Sequence, residues 1–201
     1  MLERLGATAP IVGAPSELEQ CDGIILPGVG AFREAMRKLD ESGMSSGVRE
    51  RVRKHGKPIL GICLGMQLLA RDSTESGQHL GLGLIDAVVR PLDVNSHRDW
   101  AGRKLTLPHI GWNSVTARSD SRLFAGIPPA SDFYFVHSYH VICQDNDTAA
   151  AHATYGDEFV SAIDTGNVFA AQFHPEKSQL PGQQLLRNFV ELVAAETGSE
   201  T

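Results

Sequence analysis

An apolar run that ends in a glycine-bearing turn and opens directly into a helical pattern constrains this 201-residue chain more than any other feature. It occurs twice in the first half. Gly23 to Leu26 passes through Pro27-Gly28-Val29-Gly30 into Phe32 to Leu39, where Phe32, Ala35, Met36 and Leu39 share one helical face. Lys57 to Ile62 passes through Cys63 into Leu64 to Arg71, a stretch rich in Leu, Met and Gln. Ala9 to Val12 reads as a further short strand and Val48 to His55 as a more charged helix. Strands that alternate with helices imply βαβ units, and therefore an α/β fold with a mainly parallel twisted sheet flanked by helices.

The second half changes period. Leu84 to Arg90, Trp112 to Thr116, Phe133 to Val136, Tyr139 to Cys143, Ala149 to Thr154, Val160 to Thr165 and Val168 to Gln172 are closely spaced strand candidates. Such spacing predicts antiparallel strands added to the sheet, with Thr165-Gly166-Asn167 as a turn between two of them. Gln183 to Ala195 closes as an amphipathic helix, and Thr197 to Thr201 reads as a frayed tail. With no repeat, low-complexity stretch or linker, residues 1–201 are expected to form a single domain.

Apolar residues make up 42% of the chain and the formal charge is −6, which argues against nucleic acid or an anionic membrane as the main partner. The three cysteines, Cys21, Cys63 and Cys143, cannot all pair within the chain and suit a reducing compartment. No apolar run reaches the length of a membrane span, and a cytoplasmic protein is the expectation.

Chemistry concentrates at three places. In Gly61-Ile62-Cys63-Leu64-Gly65-Met66-Gln67, a nucleophile would stand on a sharp strand-to-helix turn, where the tight backbone demands small residues two positions either side. The helix start favours a thiolate, and the Leu64 amide is placed to donate to a developing oxyanion. Phe173-His174-Pro175-Glu176 supplies a base, because Pro175 keeps His174 extended and residues two apart then point the same way. Glu176 would orient the imidazole. Leu26-Pro27-Gly28-Val29-Gly30, again at a strand end, would bring a second oxyanion donor. Each alone has a bland reading: a buried cysteine, a surface His-Pro-Glu loop, a glycine turn. Cys21 and Cys143 lack such surroundings and read as packing thiols, and His137 and His140 make a poor metal pair, so no metal is predicted.

Together these stretches resemble the class I, triad-type glutamine amidotransferases, and among them the glutaminase subunits of imidazole glycerol phosphate synthases. Gly81-Leu82-Gly83-Leu84-Ile85, Pro108-His109-Ile110-Gly111-Trp112-Asn113, Phe133-Tyr134-Phe135-Val136-His137-Ser138-Tyr139 and Gln172 to Ser178 carry the likeness further, from about Leu2 to Leu192. The resemblance implies that Cys63 attacks the glutamine carboxamide to form a glutamyl thioester, and that His174 and Glu176 complete the triad. It implies that the amides of Leu64 and of Val29 or Gly30 bind the oxyanion. Gly28, Gln67, Ser138 and Tyr139 would hold the substrate, with no cofactor. Trp112 and Asn113 would face a (β/α)₈-barrel cyclase subunit that receives the ammonia in a heterodimer. The family opens with a strand and a Tyr-Gly-x-Gly-Asn type loop ahead of the segment Leu2 to Gly6, so a sheet lacking that first strand is expected. Three other readings stay open: a glutaminase serving another acceptor synthase, an idle interaction module, and a cysteine hydrolase of peptides. Arg98, Arg103 and Lys104 read as a solvated loop in preference to a partner contact.

Overall fold

A computed structural model describes residues 2–99 and 101–198. In chain order the strands and α-helices are β1 (Ile24–Gly28), α1 (Phe32–Glu41), α2 (Met44–Arg53), β2 (Ile59–Cys63), α3 (Leu64–Leu69), β3 (Asp72–Ser73) and β4 (His79–Leu80). They continue as β5 (Ala87–Pro91), β6 (His109–Ala117), β7 (Ser131–His137), β8 (Tyr139–Cys143), β9 (Ala149–Tyr155), β10 (Asp157–Thr165), β11 (Val168–Ala171) and α4 (Gln179–Gly198). One mixed sheet runs β1-β2-β11-β10-β8-β5-β3-β4, with β6, β7 and β9 branching from it. Its parallel heart is β1, β2 and β11, and β10 turns back on β11 through a hairpin at Gly166-Asn167. No helix among the described residues is long and apolar enough to cross a membrane.

Side chains of β2 and β11 alternate between two cores, as strands covered on both faces require. Ile59, Val168 and Ala170 join Phe32, Met36, Val48, Leu64 and Leu69 on the side of α1, α2 and α3. Leu60, Ile62, Phe169 and Ala171 join Leu185, Leu186 and Phe189 of α4, with Phe133, Phe135 and Phe173, on the other. The Phe133 and Phe173 rings lie 4.1 Å apart. Each such buried ring removes apolar area worth roughly 2–3 kcal/mol, so α4 is fixed firmly to the back of the site.

Most predicted elements stand within a few residues of their expected bounds. Ala9–Val12 is the exception: it carries no strand, and Ile11 is fully exposed. A strand needs a neighbour to accept its backbone groups, and β1, the nearest strand, pairs only with β2 among the described residues. Leu2–Leu5 forms a short 3₁₀ turn. α4 begins at Gln179, ahead of the expected Gln183, because Pro181 sits in the first turn, where proline removes no helical hydrogen bond. The helix runs through Gly198, which shortens the expected frayed tail; residues 199–201 lie outside the described residues.

Candidate active site

Parallel register brings the three predicted elements to one place. Gly28 of β1 stands opposite Cys63 of β2, and Ala171 of β11 stands opposite Ile62 on the other side. The chains leaving the carboxyl ends of these strands, Val29-Gly30, Leu64 and Gln172-Phe173-His174, therefore meet. Of these, Val29, Gly30, Leu64 and His174 line a cavity of about 290 Å³ with Cys63, Gln67, Glu75, Pro108, Val136, His137, Ser138 and Tyr139.

Cys63 caps α3 with φ 55° and ψ −111°, a conformation that L-residues rarely adopt. The surroundings impose it. A Cβ on Gly65 would lie 1.8 Å from the Leu26 carbonyl oxygen, and one on Gly61 would lie 2.8 Å from the Gly65 oxygen. Only glycine at both positions lets the elbow close and hold the sulfur up to the cavity. The Cys63 thiol faces the Val136 carbonyl oxygen at 3.8 Å. Gln172 Nε2 stands 3.9 Å from the same sulfur.

His174 is extended, with φ −100° and ψ 95°, and Pro175–Lys177 turns as a 3₁₀ helix. That turn supplies the small adjustment that a purely extended His-x-Glu pair would need. His174 Nδ1 bonds Glu176 Oε1 at 2.7 Å, which leaves Nε2 toward the cavity. Nε2 is buried without a hydrogen-bond partner, so its link to Cys63 is an electrostatic contact short of a hydrogen bond, a common state of catalytic pairs without substrate. The Cys63 side chain, and after it Glu176, nevertheless push the imidazole up to about 9 against the effect of burial. Burial, the largest single influence, raises the Glu176 carboxyl, but the bond to His174, a backbone N–H and the charges of His174 and Lys177 together outweigh it and leave the group below the ordinary carboxylate range.

A raised folded-state value means that His174 stabilises the fold fully below its ordinary 6.5, and that this contribution is lost as pH rises through about 9. Urea midpoints are expected to fall across that window, and to fall less in His174→Gln. Parallel pH profiles for the two proteins would refute the assignment.

Gln67 donates to the Tyr139 carbonyl and to Gln172 Oε1, each at 3.0 Å, so both of its N–H groups are committed and its carbonyl oxygen remains. Ser138 and Tyr139 form part of the cavity wall. Gly28 backs the wall instead, where a Cβ would press on Leu64 and the Gly65 nitrogen at 3.0 Å. Trp112 is half exposed and meets Tyr134 edge-on, and the Lys177 ammonium stands over the same Tyr134 ring, a cation–π pair at 5.6 Å. Asn113 turns inward, donating to the Thr154 carbonyl at 2.8 Å. Arg98 donates to Gly102 O at 3.0 Å, and Arg103 pairs with Asp99 at 2.7 Å, within their own loop.

The sequence reading missed Glu75. Its carboxylate accepts the Phe32 amide at 2.7 Å, fastening the start of α1 and the Val29-Gly30 loop behind it, while also lining the cavity. Nothing in Ser73-Thr74-Glu75-Ser76-Gly77 marks it, because only the fold brings that loop to α1.

The family described as glutamine amidotransferase class-I matches residues 1–193. The chain belongs to the class I glutamine amidotransferases. This amidotransferase is 45% identical to the protein named imidazole glycerol phosphate synthase subunit HisH of Moorella thermoacetica, over 96% of this chain and 87% of the relative. It is 43% identical to HisH 1 of Campylobacter jejuni, over 94% and 90% respectively. The crystal structure of a glutamine amidotransferase superposes on it with TM-score 0.72 at 24% identity, covering 96% of this amidotransferase and 90% of that chain. A glutamine amidotransferase of Thermotoga maritima reaches TM-score 0.57 at 21% identity over 91% and 66%, and both likenesses show the shared fold. The HisH relatives are each named as one subunit of a synthase, which implies that a second subunit works with them.

Proposed function

We propose that this chain, as a single amidotransferase domain, is the glutaminase subunit of a cytoplasmic imidazole glycerol phosphate synthase. It hydrolyses L-glutamine to glutamate and passes the ammonia to a (β/α)₈-barrel cyclase partner. The observation that carries the reading is the meeting of Cys63, the His174–Glu176 pair and the Val29-Gly30 loop at the carboxyl ends of three neighbouring parallel strands.

In this reading the Cys63 sulfur attacks the carboxamide carbon and the carbonyl oxygen gains negative charge. The Leu64 amide and that of Val29 or Gly30 receive this charge as an oxyanion hole. His174 delivers its proton to the leaving nitrogen, ammonia departs, and a glutamyl thioester remains. Neutral His174 then takes a proton from water as it adds to the thioester, and collapse releases glutamate and the thiol. Glu176 keeps Nε2 aimed at the cavity throughout. The remaining Gln67 oxygen and the Glu75 carboxylate suit the substrate's ammonium group, and Ser138 and Tyr139 suit its carboxylate end. Trp112, with exposed Ile110 two residues away on the same side of β6, offers an apolar face to the barrel, and Asn113 supports that face from within.

Glutamate release should be measured with the chain alone and with a barrel cyclase carrying its nucleotide ligand. Turnover that the loaded partner stimulates at least tenfold is the expected result. Turnover that no cyclase alters would favour a different acceptor synthase, and none in either case would leave only a binding role.

A further inference from the structure

Two histidines, His137 in the cavity wall and His109 behind it, have no part in the steps above. β6 and β7 place His109 directly opposite His137, and both side chains are buried, at 3% and 5% exposure. His137 Nδ1 lies 2.8 Å from the Tyr139 carbonyl oxygen, which can only accept, so Nδ1 carries the proton. His137 Nε2 is then a lone-pair acceptor, and His109 Nδ1 donates to it across 3.1 Å. His109 Nε2 is left as an acceptor, facing the Asn113 amide nitrogen at 3.4 Å. Every donor direction along this line is determined.

Burial keeps both rings neutral, as the pattern requires: desolvation pushes His137 down to about 3 and His109 to about 4. The His109 ring is clamped between Tyr155, 4.1 Å away, and Phe135, 5.0 Å away, so it cannot turn to satisfy another partner.

The line does not stop at Tyr139. The same carbonyl oxygen accepts Gln67 Nε2, whose other hydrogen goes to Gln172 Oε1. Two donors thus converge on one oxygen, one from the imidazole pair and one from the residue proposed to meet the substrate. We propose that His109 and His137 are positioning residues of the glutaminase reaction: held in one tautomer, the pair fixes the Tyr139 carbonyl, and that carbonyl aims Gln67 into the site. This rests on the glutaminase reading. A donor lost at His109 would leave His137 Nε2 unsatisfied in a buried place, and the ring, the Ser138-Tyr139 bend and the Gln67 amide would shift together.

A histidine pair that merely filled space would tolerate an apolar residue of similar bulk. His109→Leu tests this, since it keeps the bulk and removes the donor. His109→Asn restores an N–H on the same branch of the side chain. For glutamine, His109→Leu is expected to raise KM about tenfold with a smaller change in kcat, and His109→Asn to recover to within about threefold of the wild type. The wild-type protein labelled with nitrogen-15 gives an independent reading by long-range NMR, in which both histidines are expected as neutral Nδ1–H tautomers at neutral pH. Either ring found protonated or in the Nε2–H form would overturn the proposal, whatever the variants do. Wild-type turnover with an unchanged KM in His109→Leu would overturn the proposal alone. Wild-type protein that releases no glutamate with any partner would overturn the glutaminase reading and the proposal with it.

Discussion

Cys63→Ala is expected to lower glutamate release by roughly 10⁴-fold or more while leaving the fold intact. Loss of a covalent nucleophile in a triad removes most of the rate enhancement, because the base and the orienting acid then have nothing to activate. What survives comes from the oxyanion donors and substrate binding. The variant should still fold, since alanine removes one atom from a buried position and leaves the elbow's backbone interactions in place. Urea unfolding is expected to move by no more than about 2 kcal/mol. The two measurements must be read together. A folded Cys63→Ala protein that releases glutamate at the wild-type rate would remove Cys63 from the chemistry, and His174 and Glu176 would lose their assigned roles as well.

Gly65→Ala is expected to act oppositely, by destroying the fold. Its Cβ would lie 1.8 Å from the Leu26 carbonyl oxygen and 2.9 Å from the carbonyl carbon. Neither atom belongs to a flexible side chain; both are β1 backbone, held by the ladder to β2. Relief would require α3 to lift from the sheet, taking Leu64, Met66, Leu68 and Leu69 out of the core they fill with Phe32 and Val48. Interiors packed at crystal density have no slack for this movement. The expected loss exceeds about 4 kcal/mol, a large part of a typical domain's whole stability, so the protein should be recovered as aggregate or unfolded chain. A Gly65→Ala protein with an unchanged urea midpoint would mean that helix and strand stand farther apart than these distances allow.

The elements proposed for catalysis, and the places where the fold brings them together, were legible in the sequence because each carries its reason locally. Gly61 and Gly65 announce a tight turn around Cys63, and Pro175 announces an extended His174. The parallel strands were legible as apolar runs, since both faces of β2 are buried. What failed depended on partners distant in sequence. Ala9–Val12 has the composition of a strand, but composition cannot supply the neighbour that pairs with it. Glu75 and the His109–His137 pair work only once strands 28 residues apart, or a loop and a helix 43 apart, are side by side. Gln179 to Gly182 was hidden by Pro181, whose place in a first helical turn becomes evident only when the helix start is known.

The parallel heart of the sheet makes turnover a report on strand alignment. A one-residue slip of β1 along β2 would turn its apolar side chains to the wrong face and expose them, so such a state is disfavoured at once. A two-residue slip is more insidious, for it keeps every face correct. It would carry Gly28 away from Cys63 by about 6–7 Å, and the Val29-Gly30 loop proposed as second oxyanion donor would no longer stand beside the sulfur. A population so displaced would still show an ordinary circular dichroism spectrum. In the proposed mechanism, the fraction of chains that form thioester in a first-turnover burst would count the correctly aligned molecules, and comparing it with the total folded protein would measure how faithfully the sheet is assembled.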